Sequence, residues 1–323
     1  MILRNIVPMA QKLCFRSHAF ITAQSNLLLA CNVYISEGQS SDVISRLQTV
    51  ASTATPVTSL ANVFIDRPYN RSNFTLISRH SDALAEAVVS LSLAALSEID
   101  LGQHSATHPR LGVVDHISCH PLSHGKNPVD MDAAALTART IALQLGEKHS
   151  LPSYLYGKAH PTEMQLADVR RQLGYFSASQ TQGQIWDGAI DSSNIRKDLP
   201  LAPDYGPVLA DPRAGVACIG AVPWIINLNV LLETHDMPAA RAVAKAVSQR
   251  GGGMPGVQAM ALQHDEGIEV ACNLLAPNVN GPAAVEKEVQ RLANERGLLV
   301  KRAYCTGRNV EEMIKLAEEI LTD

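Results

Sequence analysis

Residues Gln103 to His124 read QHSATHPRLGVVDHISCHPLSH and hold five of the 11 histidines in the chain. His104 and His108 are four apart, and His116, His120 and His124 continue at the same interval. On a helix, that spacing would align metal ligands on one face. Proline, however, follows both His108 and His120, and a residue before proline is pushed out of the helical region. From His116 onward the pattern is that of a strand, where positions i and i+4 share a face but lie ~13 Å apart. The spacing therefore predicts no metal site. His104, His120 and His124 read as polar strand-edge or surface residues, and His116 sits beside Asp115. In THPRLG, a histidine stands in a turn that proline makes rigid. An imidazole titrates near neutral pH, so a fixed His108 in a cleft suits acid–base work, with Arg110 as a planar fork for a carboxylate. On these residues alone, an ordinary polar turn is the commoner reading.

The elements that must position this turn follow from periodicity. LLLACNVYIS reads as a buried strand running into the loop SEGQSS, after which Ser41 or Asp42 can cap a helix bearing Val43, Ile44 and Leu47. VTSLANVFI and SNFTLIS are strands joined by the turn DRPYNR, Asp66 to Arg71. In SDALAEAVVSLSLAALSEID, with Ser81 as its cap, Leu84, Val88, Leu91 and Ala95 form a core-facing helical stripe. LGVVDHISCHPL is a strand, MDAAALTARTIALQLGEKH a second long helix and PSYLYG a strand. This order predicts a split βαβ unit, with helices on one face of a mixed sheet. From Pro161 to Gly206, one amphipathic helix (EMQLADVRRQLG) gives way to the polar stretch SASQTQGQIWDGAIDSS and the proline-rich DLPLAPDYGP. Connections this long are usually functional lids or linkers. The second half repeats the order: GVACIGA and WIINLNVLL, a helix stopped by glycines, two more strands, a helix, LLVKRAY and a terminal helix. Two related α/β (α+β) subdomains make the cleft between them the expected site.

The totals agree with such a chain. Its 323 residues supply ample core, and 46% hydrophobic with 18% charged residues describes a globular protein. A net charge of −4 is no footprint for nucleic acid. The six cysteines lack any C-x-x-C spacing, which favours reduced thiols. No apolar run reaches the ~20 residues of a membrane span, so a soluble protein is expected. Residues 1–32 contain no Asp or Glu but carry Arg4, Lys12, Arg16 and His18. Residues 1–27 thus read either as a transit peptide, giving an organellar (mitochondrial or plastid) rather than cytoplasmic address, or as a mere extension.

IDLGQHSATHPRLGVVD closely resembles the motif of the formiminotransferase family of folate-dependent enzymes, found alone or fused to cyclodeaminase. SEG at Ser36–Gly38, NR at Asn70–Arg71, PSYLYG at Pro152–Gly157, APDYGP at Ala202–Pro207 and CNLL at Cys272–Leu275 also match. The resemblance covers residues 28 to 323 and is greatest to the plant-type stand-alone members. It implies an N-terminal subdomain over 28–224 and a C-terminal one over 225–323, with folate in a channel between them. It further implies a homodimer, tetrahydrofolate as co-substrate, no metal, and small-molecule partners only.

The implied activity is that of a glutamate formimidoyltransferase-like one-carbon transferase, as in histidine catabolism. A formimino group passes from N-formimino-L-glutamate to N5 of tetrahydrofolate, and His108 holds the position of the family's catalytic base. The implied folate-binding stretch is Gly206, Pro207, Val208, Leu209, Ala210, Asp211, Pro212, Arg213, Ala214 and Gly215. Arg71, Arg110, Asn70 and Lys158 are the candidates for binding the dicarboxylic substrate. The chain also departs from the family's pattern. Tyr34 stands where the first loop usually has asparagine, DRPYNR is shorter than the usual D-A-G-P-S-T-N-R, and Val222 and Pro223 stand where basic residues are frequent. These changes leave two alternatives: a 5-formyltetrahydrofolate:glutamate formyltransferase, or a catalytically inactive folate-binding or interaction protein.

Overall fold

The computed structural model describes residues 27–122, 128–175 and 201–321. His124, nearly all of the amino-terminal extension and the polar stretch before Asp198 lie outside the described residues. The first unit runs β1 (Leu29–Ile35), α1 (Ser41–Thr53), β2 (Thr58–Asp66), β3 (Arg71–Ser78), α2 (Ser81–Glu98) and β4 (Val114–Pro121). It continues through α3 (Pro128–Leu143), β5 (Ser153–Gly157), α4 (Leu166–Gln172) and β6 (Ala217–Ala221). The second unit is β7 (Ile226–Leu232), α5 (Met237–Val247), β8 (Val257–His264), β9 (Gly267–Leu274), α6 (Pro282–Asn294), β10 (Val300–Cys305) and α7 (Val310–Ile320).

The six-stranded sheet has the order β2-β3-β1-β4-β6-β5, and the four-stranded sheet β10-β7-β9-β8. Within each unit the first four strands are antiparallel and are arranged second, third, first, fourth, which is the expected split βαβ order. GVACIGA, read above with the second half, instead forms β6, which pairs in parallel with both β4 and β5 in the first sheet. Buried on both sides, a parallel strand reads as an unbroken apolar run, so its sequence does not reveal which sheet takes it. The helix starts also differ slightly: Ser40 caps α1 by accepting from the Val43 N–H, and His80 is the N-cap of α2.

Strand alternation divides the first sheet into two unlike faces. Leu29, Cys31, Val33 and Ile35 of β1, with Ile117 and Cys119 of β4, pack against Ile44, Leu47, Leu84, Val88, Leu91 and Ala138 of α1 to α3. In the second unit, Val230, Val270 and Leu274 pack against Val243, Val285 and Val289 of α5 and α6. The opposite face of the first sheet carries Asn32, Tyr34, Asn73, Thr75, His116, Ser118 and His120. α7 covers one end of that face, with Met313 and Ala317 against Leu28, Ala30 and Ile77. α4 covers the other, with Val169 against Tyr154 and Tyr156. Between them, side chains of the second unit reach the polar strip: Tyr34 Oη donates to Asn227 Oδ1 at 3.1 Å, and Asn227 Nδ2 donates to Asn273 Oδ1 at 2.6 Å.

The turn carrying His108 is fixed by close backbone contact with the segment 206–215. Gly112 bridges Gly215, the Val113 N–H donates to Ala214 O at 2.8 Å, and the Leu101 N–H donates to Arg213 O at 2.8 Å. Gly215 has φ +72°, and a Cβ there would lie 2.3 Å from Leu111 O. Only glycine meets both conditions. Gly215→Ala is therefore expected to lower unfolding stability by at least about 2 kcal/mol, from left-handed strain plus backbone overlap. A urea midpoint unchanged from wild type would contradict this account of the contact.

Candidate functional site

Asp115 is the centre of the polar end of this strip. The β1–β4 register slips between Tyr34 and Ile35, so Tyr34 pairs with His116, Ile35 pairs with Val114, and Asp115 is the extra, bulged residue. A bulge re-aims a side chain that strict alternation would send to the opposite face. Asp115 is 1% exposed. Its Oδ1 accepts the Leu111 N–H at 2.7 Å, and its Oδ2 accepts Arg71 Nη2 at 2.7 Å and Arg170 Nη2 at 2.8 Å. Burial alone would raise this carboxyl, but Arg170 and Arg71 hold it far below the usual carboxylate range. Arg71 opens β3 and spreads over the Tyr34 ring at 4.8 Å, while Arg170 on α4 lies over Tyr175 at 4.3 Å.

Two histidines border this ion cluster. The His116 ring stacks on Tyr34 with centroids 4.1 Å apart, as expected of directly opposed strand residues. Its Nδ1 accepts from Arg170 Nη2 at 3.0 Å and from Arg71 Nη2 at 3.3 Å, which requires a neutral ring. Burial, then Arg170, lowers its pKa to about 3. His108 Nδ1 donates to Pro109 O at 2.7 Å. Arg71 Nη1 lies 2.9 Å from Nδ1 and 3.1 Å from Nε2. Because Pro109 O takes the Nδ1 hydrogen, only the Nε2 lone pair can accept from the guanidinium. Burial first, and Arg71 second, push His108 well below the ordinary histidine range. The site thus presents a neutral imidazole whose basic nitrogen faces a cation.

The other sequence-predicted residues spread outward from this point. Asn70, at φ +46°, is a strut: its Oδ1 accepts the Gly38 N–H at 2.8 Å, and its Nδ2 donates to Ser105 O at 3.1 Å. Its carbonyl accepts from His104 Nε2 at 3.0 Å. Arg110 is buried, and its Nη2 donates to His104 O at 2.7 Å. Lys158 is exposed and pairs with Glu163 at 2.9 Å. His120 is no surface residue: it is 1% exposed and packed on Trp224. Ser118 Oγ lies 2.8 Å from its Nε2, and Val222 O lies 3.0 Å from its Nδ1. A small cavity of about 20 Å³, lined in part by Asn32, Tyr34, Asn73, Thr75, Asn227 and Arg308, lies along the strip beside Tyr34. Among the described residues, no group of three His, Cys, Asp or Glu side chains is arranged to hold a metal ion.

Sequence reasoning missed Arg170, Tyr175, Tyr69 and Glu269 as companions of His108. VRRQ in an amphipathic helix offers two arginines with nothing to say which one is buried. Tyr69 lay within the recognised DRPYNR turn, and its odd character there, an aromatic in a polar turn, was the available signal.

The buried histidines set a pH dependence. His104 and His120 fall to about 4 and His116 to about 3, mainly through burial. The unfolded chain protonates these rings near pH 6.5, and the folded chain does not until far lower. Stability from neutral burial is therefore present above about pH 6.5 and lost as pH falls toward 4. Asp66, raised to about 6 by burial and then by Glu269, acts in the opposite sense, and one such group offsets only part of the histidine effect. The thermal midpoint is expected to drop between pH 6.5 and 4.5; a midpoint that rises over that range would refute this. Asp115→Asn, which leaves two buried guanidinium groups without their carboxylate, is expected to cost about 3–5 kcal/mol in a denaturant titration.

Residues 28–222 match the formiminotransferase domain, N-terminal subdomain. The chain is 37% identical over 302 residues to a formiminotransferase cyclodeaminase-like protein of Arabidopsis thaliana, covering 92% of this chain and 98% of the relative. It is 30% identical over 251 residues to a glutamate formimidoyltransferase of Thermoplasma acidophilum, covering 76% of each. To the formimidoyltransferase-cyclodeaminase of Sus scrofa it is 29% identical over 287 residues, covering 87% of this chain and 50% of that protein. The polar strip between two α/β units, with the HPRLG turn at its end, therefore belongs to a member of the formiminotransferase family.

Proposed function

We propose that the chain is a folate-dependent transferase that moves a formimino group from N-formimino-L-glutamate to N5 of tetrahydrofolate, with His108 as the general acid–base group. The observation that carries this reading is the setting of His108: buried in a rigid turn, with Nδ1 2.7 Å from Pro109 O and Nε2 3.1 Å from Arg71 Nη1. A general base must be unprotonated and within reach before its pKa matters. Two relatives named glutamate formimidoyltransferase, from Thermoplasma acidophilum and Streptococcus pyogenes, support the same reaction class.

The residues fit the groups such a reaction brings. Tetrahydrofolate supplies the nucleophilic N5. Along the strip Asn73 Nδ2 is a buried donor without a partner that a polar heterocycle could take, and 206–215 adjoins the His108 turn through the Gly112–Gly215 bridge. As N5 bonds to the formimino carbon, His108 Nε2 takes the N5 proton. It then returns that proton to the glutamate nitrogen as the carbon–nitrogen bond to glutamate breaks. Arg71 disfavours an imidazolium before substrate arrives, and its contact with Nε2 must give way for that nitrogen to take the N5 proton. Arg71 is the arginine in contact with His108 and could meet a substrate carboxylate, Arg110 is buried with its Nη2 on His104 O, and Lys158 would act from the exposed rim.

The test is turnover of the recombinant chain with tetrahydrofolate and formiminoglutamate, alongside His108→Ala. The expected outcome is a loss of about 100-fold or more in kcat in the variant, with folate binding retained. Tight folate binding with equal, near-zero turnover in both proteins would leave a binding protein instead.

A further inference from the structure

The Tyr69 ring that flanks His108 is tethered in the second subdomain. Glu269, on β9, has no exposed surface. Tyr69 Oη donates to its Oε2 at 2.7 Å, Asn229 Nδ2 donates to the same oxygen at 2.9 Å, and Tyr304 Oη donates to Oε1 at 2.7 Å. The close donors are thus neutral, and His264 Nε2 stands 3.9 Å from Oε1. A buried carboxylate held by such donors cannot release one without leaving charge unsatisfied, which makes each bond stiff. Tyr69 is pinned at its other end as well, its backbone N–H donating to Asp66 Oδ1 at 3.0 Å.

Fixed at both ends and 4% exposed, the Tyr69 ring lies 5.3 Å from the His108 imidazole at a tilt of 57°. His264 packs edge-on against it at 5.5 Å. Beside it, Thr107 Oγ1 donates to Gln263 O at 2.9 Å, so the residue preceding His108 is also tied to the β8 strand. The charged groups that act on His108 are Arg71 from β3, Asp115 from β4 and Arg170 from α4; Asp66, Glu269 and His264 contact Tyr69.

We propose that Tyr69, tethered through its hydroxyl to Glu269, is a positioning residue that fixes the His108 imidazole, so that the second subdomain orients the base carried by the first. This rests on the reading of His108 as the acid–base group. Tyr69 closes one side of the imidazole to water, and Glu269 keeps Tyr69 there. The shortened DRPYNR turn is what brings an aromatic ring to that place.

The experiment follows the His108 ring nitrogens by long-range proton–nitrogen NMR, with the signal assigned by its loss in His108→Gln. Wild type, Tyr69→Ala, Tyr69→Phe and Glu269→Gln are titrated without substrate, each checked for folding by its thermal midpoint. Wild-type His108 should stay neutral, with the hydrogen on Nδ1, until well below the ordinary histidine range. Tyr69→Ala should move its titration up by about one unit or more, toward the free value near 6.5, because water then reaches the ring. Tyr69→Phe and Glu269→Gln should give smaller upward shifts. All three should lower kcat by about 10-fold while the KM for folate changes less than about 2-fold. Wild-type titration in Tyr69→Phe and Glu269→Gln would overturn the tether, even if Tyr69→Ala shifts or fails to fold. Should the chain not turn over formiminoglutamate at all, the NMR comparison still decides the positioning claim separately.

Discussion

The Asp115 carboxylate is the charge on which the site depends. Two guanidinium groups, from β3 and α4, converge on one of its oxygens, and a backbone N–H holds the other. Cations this deeply buried persist only with a counter-charge and good hydrogen bonds. Once satisfied, they impose their own demands on the surroundings. Both flank the His116 Nδ1, so that imidazole stays neutral, and Arg71 faces the Nε2 of His108 with the same effect. Their flat faces take Tyr34 and Tyr175. The bulge in β4 is the backbone feature that allows all this, since without it Asp115 and His116 would point to opposite faces.

A second constraint comes from the layering. Placing the main helices on one face of each sheet leaves the other faces without an apolar cover. Along the middle of the first sheet that face is filled with amides, hydroxyls and imidazoles, which are costly to bury unless paired. They pair with one another: Thr75 Oγ1 donates to Asn32 Oδ1 at 2.7 Å, and Tyr34 reaches Asn227 across the subdomains. A strip of pre-oriented polar groups beside a small cavity suits a flat polar ligand better than an apolar one. The same logic explains why α4 and α7 are apolar where they cover the ends of the sheet.

Much of this was legible in the chain, and the reason is locality. Continuous apolar runs such as LACNVYI and the Leu84, Val88, Leu91 stripe each report their own element, because burial patterns arise within a few residues. The repeated strand–helix order could be read in both halves, and the HPRLG turn pointed to His108. GVACIGA could not be placed, because an apolar strand carries no mark of its sheet. His120 was misjudged because its polarity suggested exposure, whereas Ser118 and nearby carbonyls satisfy it inside.

What the sequence by itself determined is therefore the set of elements, their doubled arrangement and the turn that presents one histidine. Only the tertiary structure decided which polar groups meet: Asp115 with Arg170, 55 residues apart, and Tyr69 with Glu269, 200 residues apart. Pairs so distant leave no periodic trace in the chain. Their meeting depends on a strand bulge, on a short turn, and on two subdomains closing over a polar face that neither could bury alone.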